Sequence, residues 1–226
     1  MMIFRWMAFT AAHRQHAPKW TLLFAVLLAG CSNQGVRLSP ADRDALDRQP
    51  VIHVLHYETA LPQVKNGAKT AAPAGIRHAA GADPAGLIAQ SFSRLIGRKE
   101  KLKNLQVESH HLPPPVAKNP TDYRKKYRRG LALELWVDRW SFEPSAQRPD
   151  HYTMRLNARA RLARIDDGHV LWSTGNCSAN GKNTREPNLT NSDLTKGTRL
   201  RKAIAAARDE CVRQLARDFY SVAARK

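Results

Sequence analysis

Residues 152–162 alternate between apolar and polar without a break. Tyr152, Met154, Leu156, Ala158, Ala160 and Leu162 take one side; Thr153, Arg155, Asn157, Arg159 and Arg161 take the other. Successive strand side chains point to opposite faces, so this is a strand with one apolar and one basic face. Such a strand cannot bury its apolar side alone, which commits the chain to a sheet with a cover. The preceding segment, residues 130–142, is built alike. Leu131, Leu133, Leu135 and Val137 share one face, and Glu134, Trp136, Asp138 and Trp140 the other. Residues 144–150 read as the turn between these strands. The alternation slips at Arg164-Ile165, which marks a bulge or the strand's end. Asp166-Asp167-Gly168 is a hairpin turn signal, and Val170, Leu171 and Trp172 carry the returning strand.

The rest of the chain supplies the cover. Residues 51–58 form a short apolar run that reads as the first strand, and residues 63–82, rich in Ala, Gly, Lys and Pro, read as a mobile loop. A helix follows with Asp83 as its cap and Pro84 at its first position. Leu87, Ile88, Phe92, Leu95 and Ile96 recur at helical spacing, and Gly97 closes the run. Residues 105–107 suggest a further strand, and residues 176–196 a polar loop. The last helix, about 198–222, carries Leu200, Ile204, Ala207, Cys211, Leu215, Phe219 and Val222 as one stripe. The order predicts an α+β domain: a largely antiparallel sheet of about four to five strands with both helices packed on one face.

Ahead of this domain stands a different kind of segment. Residues 20–30 are apolar, follow Arg5, Arg14 and Lys19 with no acidic residue, and end at Cys31. The run is too short to span a bilayer as a helix, which takes about 20 residues. The residues leave two readings, an export signal or a buried apolar helix. Leu28-Ala29-Gly30-Cys31 resembles the lipobox of bacterial lipoproteins. The resemblance implies that the Cys31 thiol receives a diacylglyceryl group, that cleavage follows Gly30, and that the new amino terminus is acylated. Two or more acyl chains anchor stably where one does not. Ser32, where Asp would retain the product, implies the outer membrane, facing the periplasm. The division expected is a signal peptide at 1–30, a lipidated tether at 31–50, and a single α+β domain at 51–226. Within the tether, Ser39 and Pro40 have the residue types to open one short helix. The long leading region leaves Met7 as an alternative start.

Removing the three basic residues before Cys31 from 37 Lys and Arg leaves 34 against 19 acidic residues, a net charge of +15. That balance favours acidic partners such as lipid head groups or envelope polyanions, and export argues against nucleic acid. Arg124, Lys125, Lys126, Arg128 and Arg129, around Tyr127, are the densest basic run. They read either as a patch for phosphates or as a solvated approach to the next strand. Arg155, Arg159 and Arg161, sharing a strand face, extend this into an expected cationic band on the uncovered side of the sheet. Charge reversal there is expected to spare the fold and weaken binding. With Cys31 consumed by lipid, Cys177 and Cys211 remain as an even pair in an oxidising compartment. A disulfide between them would contribute on the order of 3 kcal/mol in the chain-entropy model.

Catalytic patterns are scarce. No phosphate-binding glycine loop, nucleophile elbow, zincin helix or Cys-x-x-Cys pair occurs, and neither a cofactor nor an enzymatic activity is expected. His53 and His56 fall on opposite faces of one strand and cannot share an ion. His110 and His111 lie beside a proline run, which reads as surface, with copper or zinc left open. The strands 131–140, 152–162 and 166–172 and the closing helix, in this order, resemble the auxiliary lipoproteins of envelope ABC transport systems. They are also similar to the curli-secretion and TolB amino-terminal type of domain. Pro113-Pro114-Pro115 and the arginine content depart from that pattern, and no functional residue carries over beyond Cys31. The resemblance implies a non-catalytic accessory or assembly component of an envelope transport or secretion system, with a protein partner. The charge implies the alternative, a binding module for anionic envelope polymers or lipids.

Overall fold

The computed structural model describes residues 35–46, 48, 51–60, 62–66, 69–70, 83–100, 102, 105–110, 126–180 and 189–221. Its strands are β1 (Ile52–Tyr57), β2 (Gln63–Asn66), β3 (Lys69–Thr70), β4 (Leu105–His110), β5 (Leu131–Pro144), β6 (His151–Arg164), β7 (Val170–Ser173), β8 (Cys177–Asn180) and β9 (Leu189–Thr190). Its helices are α1 (Pro40–Leu46), α2 (Pro84–Lys99), α3 (Asn191–Lys196) and α4 (Thr198–Tyr220).

β5 and β6, each 14 residues, form the antiparallel spine. Everything else lines its two long edges. On the far edge of β6, β9, β8 and β7 pair in turn with its beginning, middle and end, all antiparallel. On the far edge of β5, β1 runs parallel to the first half and β2 parallel to the second. β4 completes the sheet, parallel to β1. The expected largely antiparallel sheet of about four to five strands is therefore corrected to a mixed one, with nine strands among the described residues. The reason is local: β1 and β4 are joined through α2, and parallel neighbours need a crossover of a dozen or more residues. β1, central in this parallel part, is buried along its whole length.

Three further expectations change. The segment 63–82 is not all loop, because β2 and β3 lie in it and Val64 is buried in the core. The segment 176–196 holds β8, β9 and α3, the last opened by a capping box between Thr190 and Asp193. Gly97 does not stop α2, which runs on to Lys99. A Cβ at Gly97 would stand 2.6 Å from Leu105 Cδ1, so this glycine serves close packing of helix on strand.

The core lies between one sheet face and the helices α2 and α4. The apolar faces read for β6 and α4 are buried as expected, Val222 lying outside the described residues. β5 departs from its simple alternation. Its register with β6 shifts between Val137 and Arg139, and beyond that bulge Trp140 and Phe142 turn into the core. Phe92 of α2, Trp172 of β7 and Phe219 of α4 meet in one aromatic cluster, with centroids 5.1–5.9 Å apart. Cys177 of β8 and Cys211 of α4 are joined as a disulfide, both fully buried. Beside it, the Ser178 N–H donates to Gln214 Oε1 and Gln214 Nε2 donates back to Ser178 O, at 2.8 and 2.9 Å. The packed body also takes in Leu38 and Leu46, which the sequence pattern left ahead of the domain.

Candidate functional site

The sheet face away from the helices carries the residues of the expected cationic band, and cross-strand register decides their partners. Glu134 stands opposite Arg161, Trp136 opposite Arg159, and Ser141 opposite Arg155. Arg155 Nε lies 2.5 Å from Glu143 Oε2, and Arg159 Nε 2.7 Å from Asp138 Oδ2. Glu143 also meets Arg139, and Trp136 Nε1 donates to Asp138 at 3.1 Å. The three arginines thus share a face as read, yet β5 brings a carboxylate to each. The band is ion-paired, not a field of unopposed cations. The signal was present in the acidic residues of β5, since facing opposite charges on adjacent strands attract.

Arg161 differs from the other two in depth. It pairs with Glu134, which is 0% exposed and also accepts from Tyr57 OH at 2.8 Å. Around them Leu55, Tyr57, Tyr127, Ala132 and Ile165 form a second apolar cluster with Trp136 at its margin. The expectation that charge reversal at Arg161 spares the fold is corrected accordingly. Reversal would set two carboxylates together in a dry site, where an uncompensated charge is costly.

The described part of the basic run borders this cluster. Tyr127 is buried, packs against His53 with the rings tilted by 36° and their centroids 4.0 Å apart, and donates to Glu108 Oε2. Lys126 Nζ lies 2.8 Å from the same oxygen and over the Tyr127 ring. Arg128 and Arg129 are exposed. Burial lowers the His53 pKa below its ordinary 6.5, against the pull of Glu108 and the Arg129 backbone. Arg124, Lys125 and His111 lie outside the described residues, as does Cys31. His110 ends β4.

His53 and His56 do occupy opposite faces. His56 Nδ1 is 3.1 Å from Asp83 Oδ2, on the helix side. Asp83 caps α2, accepting from Ala85 N–H at 3.2 Å and Gly86 N–H at 3.1 Å, and also takes the Thr59 N–H at 3.2 Å. Burial works to raise its pKa, but the bonds from His56, Thr59 and Gly86 outweigh it and hold the carboxyl below 3.8. A Cβ at Gly86 would stand 2.9 Å from His56 Cε1, so the cap and the strand meet at a glycine. Among the described residues no group of three or more His, Cys, Asp or Glu has metal-site geometry. Among the same residues no helix is long and apolar enough to cross a membrane.

No protein-family model matches the chain, and comparison with curated protein sequences finds no significant match. Solved structures give distant likenesses. The protein XCC0632 from Xanthomonas campestris, of family DUF330, is 15% identical with a TM-score of 0.40, over 80% of this chain and 85% of that one. The PelC dodecamer from Paraburkholderia phytofirmans is 13% identical with a TM-score of 0.35, over 82% and 95%. Lipoprotein GNA1162 from Neisseria meningitidis is 13% identical with a TM-score of 0.34, over 74% and 99%.

Proposed function

We propose that this chain is a lipid-anchored accessory protein of the bacterial cell envelope that acts by binding, as a component of a transport or secretion assembly. The observation that carries the reading is the buried Cys177–Cys211 disulfide tying α4 to the sheet. A structural disulfide of this kind belongs to an oxidising compartment. That compartment agrees with the apolar run before Cys31 as an export signal and with Cys31 as the acylated residue. In the lipoprotein resemblance Ser32, standing where Asp would retain the product, sorts the chain to the outer membrane, and the domain is assigned to the periplasmic side. The non-catalytic part of the reading rests on the sequence, in which an address motif is present and no catalytic pattern was recognised.

The alternative, a module for anionic polymers or lipids on the open sheet face, draws support from Arg128 and Arg129, which are exposed beside β5. It draws less from Arg155, Arg159 and Arg161, because carboxylates already face them. Growth with a fatty-acid analogue tests the anchor: wild-type chain incorporates label and Cys31→Ser does not. Equal labelling of the two refutes acylation at Cys31. Crosslinking in the native envelope then separates the readings. A defined protein complex that survives high salt favours the accessory role, and capture that salt abolishes favours the polyanion module.

A further inference from the structure

Gly35 and Val36 run along the edge of β7 that faces away from β6. The Val36 N–H donates to Ser173 Oγ at 2.9 Å, and the Ser173 N–H donates to Val36 O at 2.8 Å. A Cβ at Gly35 would stand 2.0 Å from Ser173 O, so only glycine permits this approach. Leu38 then enters the core, and Ser39 Oγ accepts the Asp42 N–H at 3.1 Å to open α1. From α1, Arg43 Nη1 lies 3.2 Å from Glu100 Oε1 at the end of α2, and Nη2 donates to Phe219 O near the end of α4 at 2.9 Å. Its guanidinium also lies over the Phe219 and Tyr220 rings. Three elements therefore grip the chain from residue 35 onward.

This leaves little leash. Four residue steps separate Cys31 from Gly35, a reach of at most ~14 Å fully extended. The first side chains past that leash suit a lipid surface. Val36 is 45% exposed, one of two large apolar side chains exposed among the described residues, and Arg37 beside it is exposed too. An apolar group can enter the boundary between head groups and acyl chains while a guanidinium meets lipid phosphate. We infer that the β7 edge, led by Val36 and Arg37, is the surface on which the domain rests against an anionic bilayer, in one orientation. The inference rests on the acylation of Cys31 proposed above. The opposite sheet edge, β4, lies four strand spacings away, ~19 Å along the sheet, and faces the aqueous side.

The test uses the full lipidated chain, purified from membranes and reconstituted into vesicles of phosphatidylcholine and phosphatidylglycerol. Val36→Cys and Val107→Cys place a fluorescent probe on the two sheet edges, and a spin label on the lipid head group is the quencher. Both substituted side chains are exposed, and the Val36 backbone bonds remain. Quenching is expected to be several-fold stronger at position 36 than at 107. Inserting twelve Gly and Ser residues between Asn33 and Gln34 adds a coil of ~20 Å and should erase the contrast without touching the fold. Equal quenching at the two positions of an acylated chain overturns the orientation. A contrast that the insertion leaves unchanged overturns the role of the short leash. Absence of fatty acid, read by mass spectrometry before any quenching, overturns the anchored reading itself and the orientation with it.

Discussion

The two faces of the β5–β6 spine are made by the same two strands and held by different physics. Toward the helices, Leu133, Leu135, Leu156 and Leu162 meet Phe92, Trp172 and Phe219, and all are buried. Burial of that kind is non-directional and roughly proportional to area. Away from the helices, Asp138, Glu143, Arg155 and Arg159 form partly exposed ion pairs in which geometry and screening decide the energy. Glu134 and Arg161 belong to the second face by direction but to the interior by depth. Direction along a strand therefore does not settle how much a residue matters; what covers it does.

The largest expected effect tests the apolar face. Trp172→Ala should cost about 3–5 kcal/mol, read from the urea midpoint at unchanged slope. Trp136→Ala, on the open face and only partly buried, should cost markedly less. Equal losses would erase the asymmetry between the faces. Next, Glu134→Ala should destabilise by about 3 kcal/mol, because it strands Arg161 in a nearly dry site. Pairing Glu134→Leu with Arg161→Met should recover most of that loss. If the double variant is as weak as the single one, the pair contributes net stability rather than mutual neutralisation.

The disulfide comes next. Replacing Cys177 and Cys211 together by Ala should remove on the order of 3 kcal/mol in the chain-entropy model, for a sequence separation of 34. Protein purified without reductant should show no free thiol at either position. A smaller effect is expected at the cap of α2, on the helix side of the sheet. Asp83→Ala should cost about 1 kcal/mol, the usual worth of an N-cap. The sign with pH follows from its depressed pKa. The contribution is fully present above 3.8 and is lost as pH falls through the lower folded-state value. Wild type and Asp83→Asn should accordingly converge in acid. A gap that does not narrow at all as pH falls below 3.8 would mean that the hydrogen bonds matter and the charge does not.

Smallest of all, Arg155→Ala and Arg159→Ala should each cost no more than about 1 kcal/mol, and less at high salt. A salt-independent loss above that would place these two arginines with Arg161 as interior residues.

Much of this architecture was legible in the chain. The alternation over 152–162 and the Asp166-Asp167-Gly168 turn correctly set β6 and its return strand, because a pleat repeats every two residues. The stripe from Leu200 to Phe219 set α4, and the cap Asp83 with Pro84 set the start of α2, because both are local. The pairing of Cys177 with Cys211 was legible once Cys31 was assigned to lipid, which leaves an even pair for an oxidising compartment, although the strand that carries Cys177 was not. Three features depended on tertiary structure. The parallel direction of β1 and β4 was hinted by the intervening helix, but direction is settled only when strands pair. The bulge that turns Trp140 inward depends on register with β6, which no single strand contains. The acidic residues of β5 signalled that the open face would be paired, but which carboxylate meets which arginine depends on that same register. Composition counts arginines, whereas their effective charge depends on which carboxylates the neighbouring strand sets opposite them. Residue pattern thus determined which side chains face together, and packing decided which of them meet water.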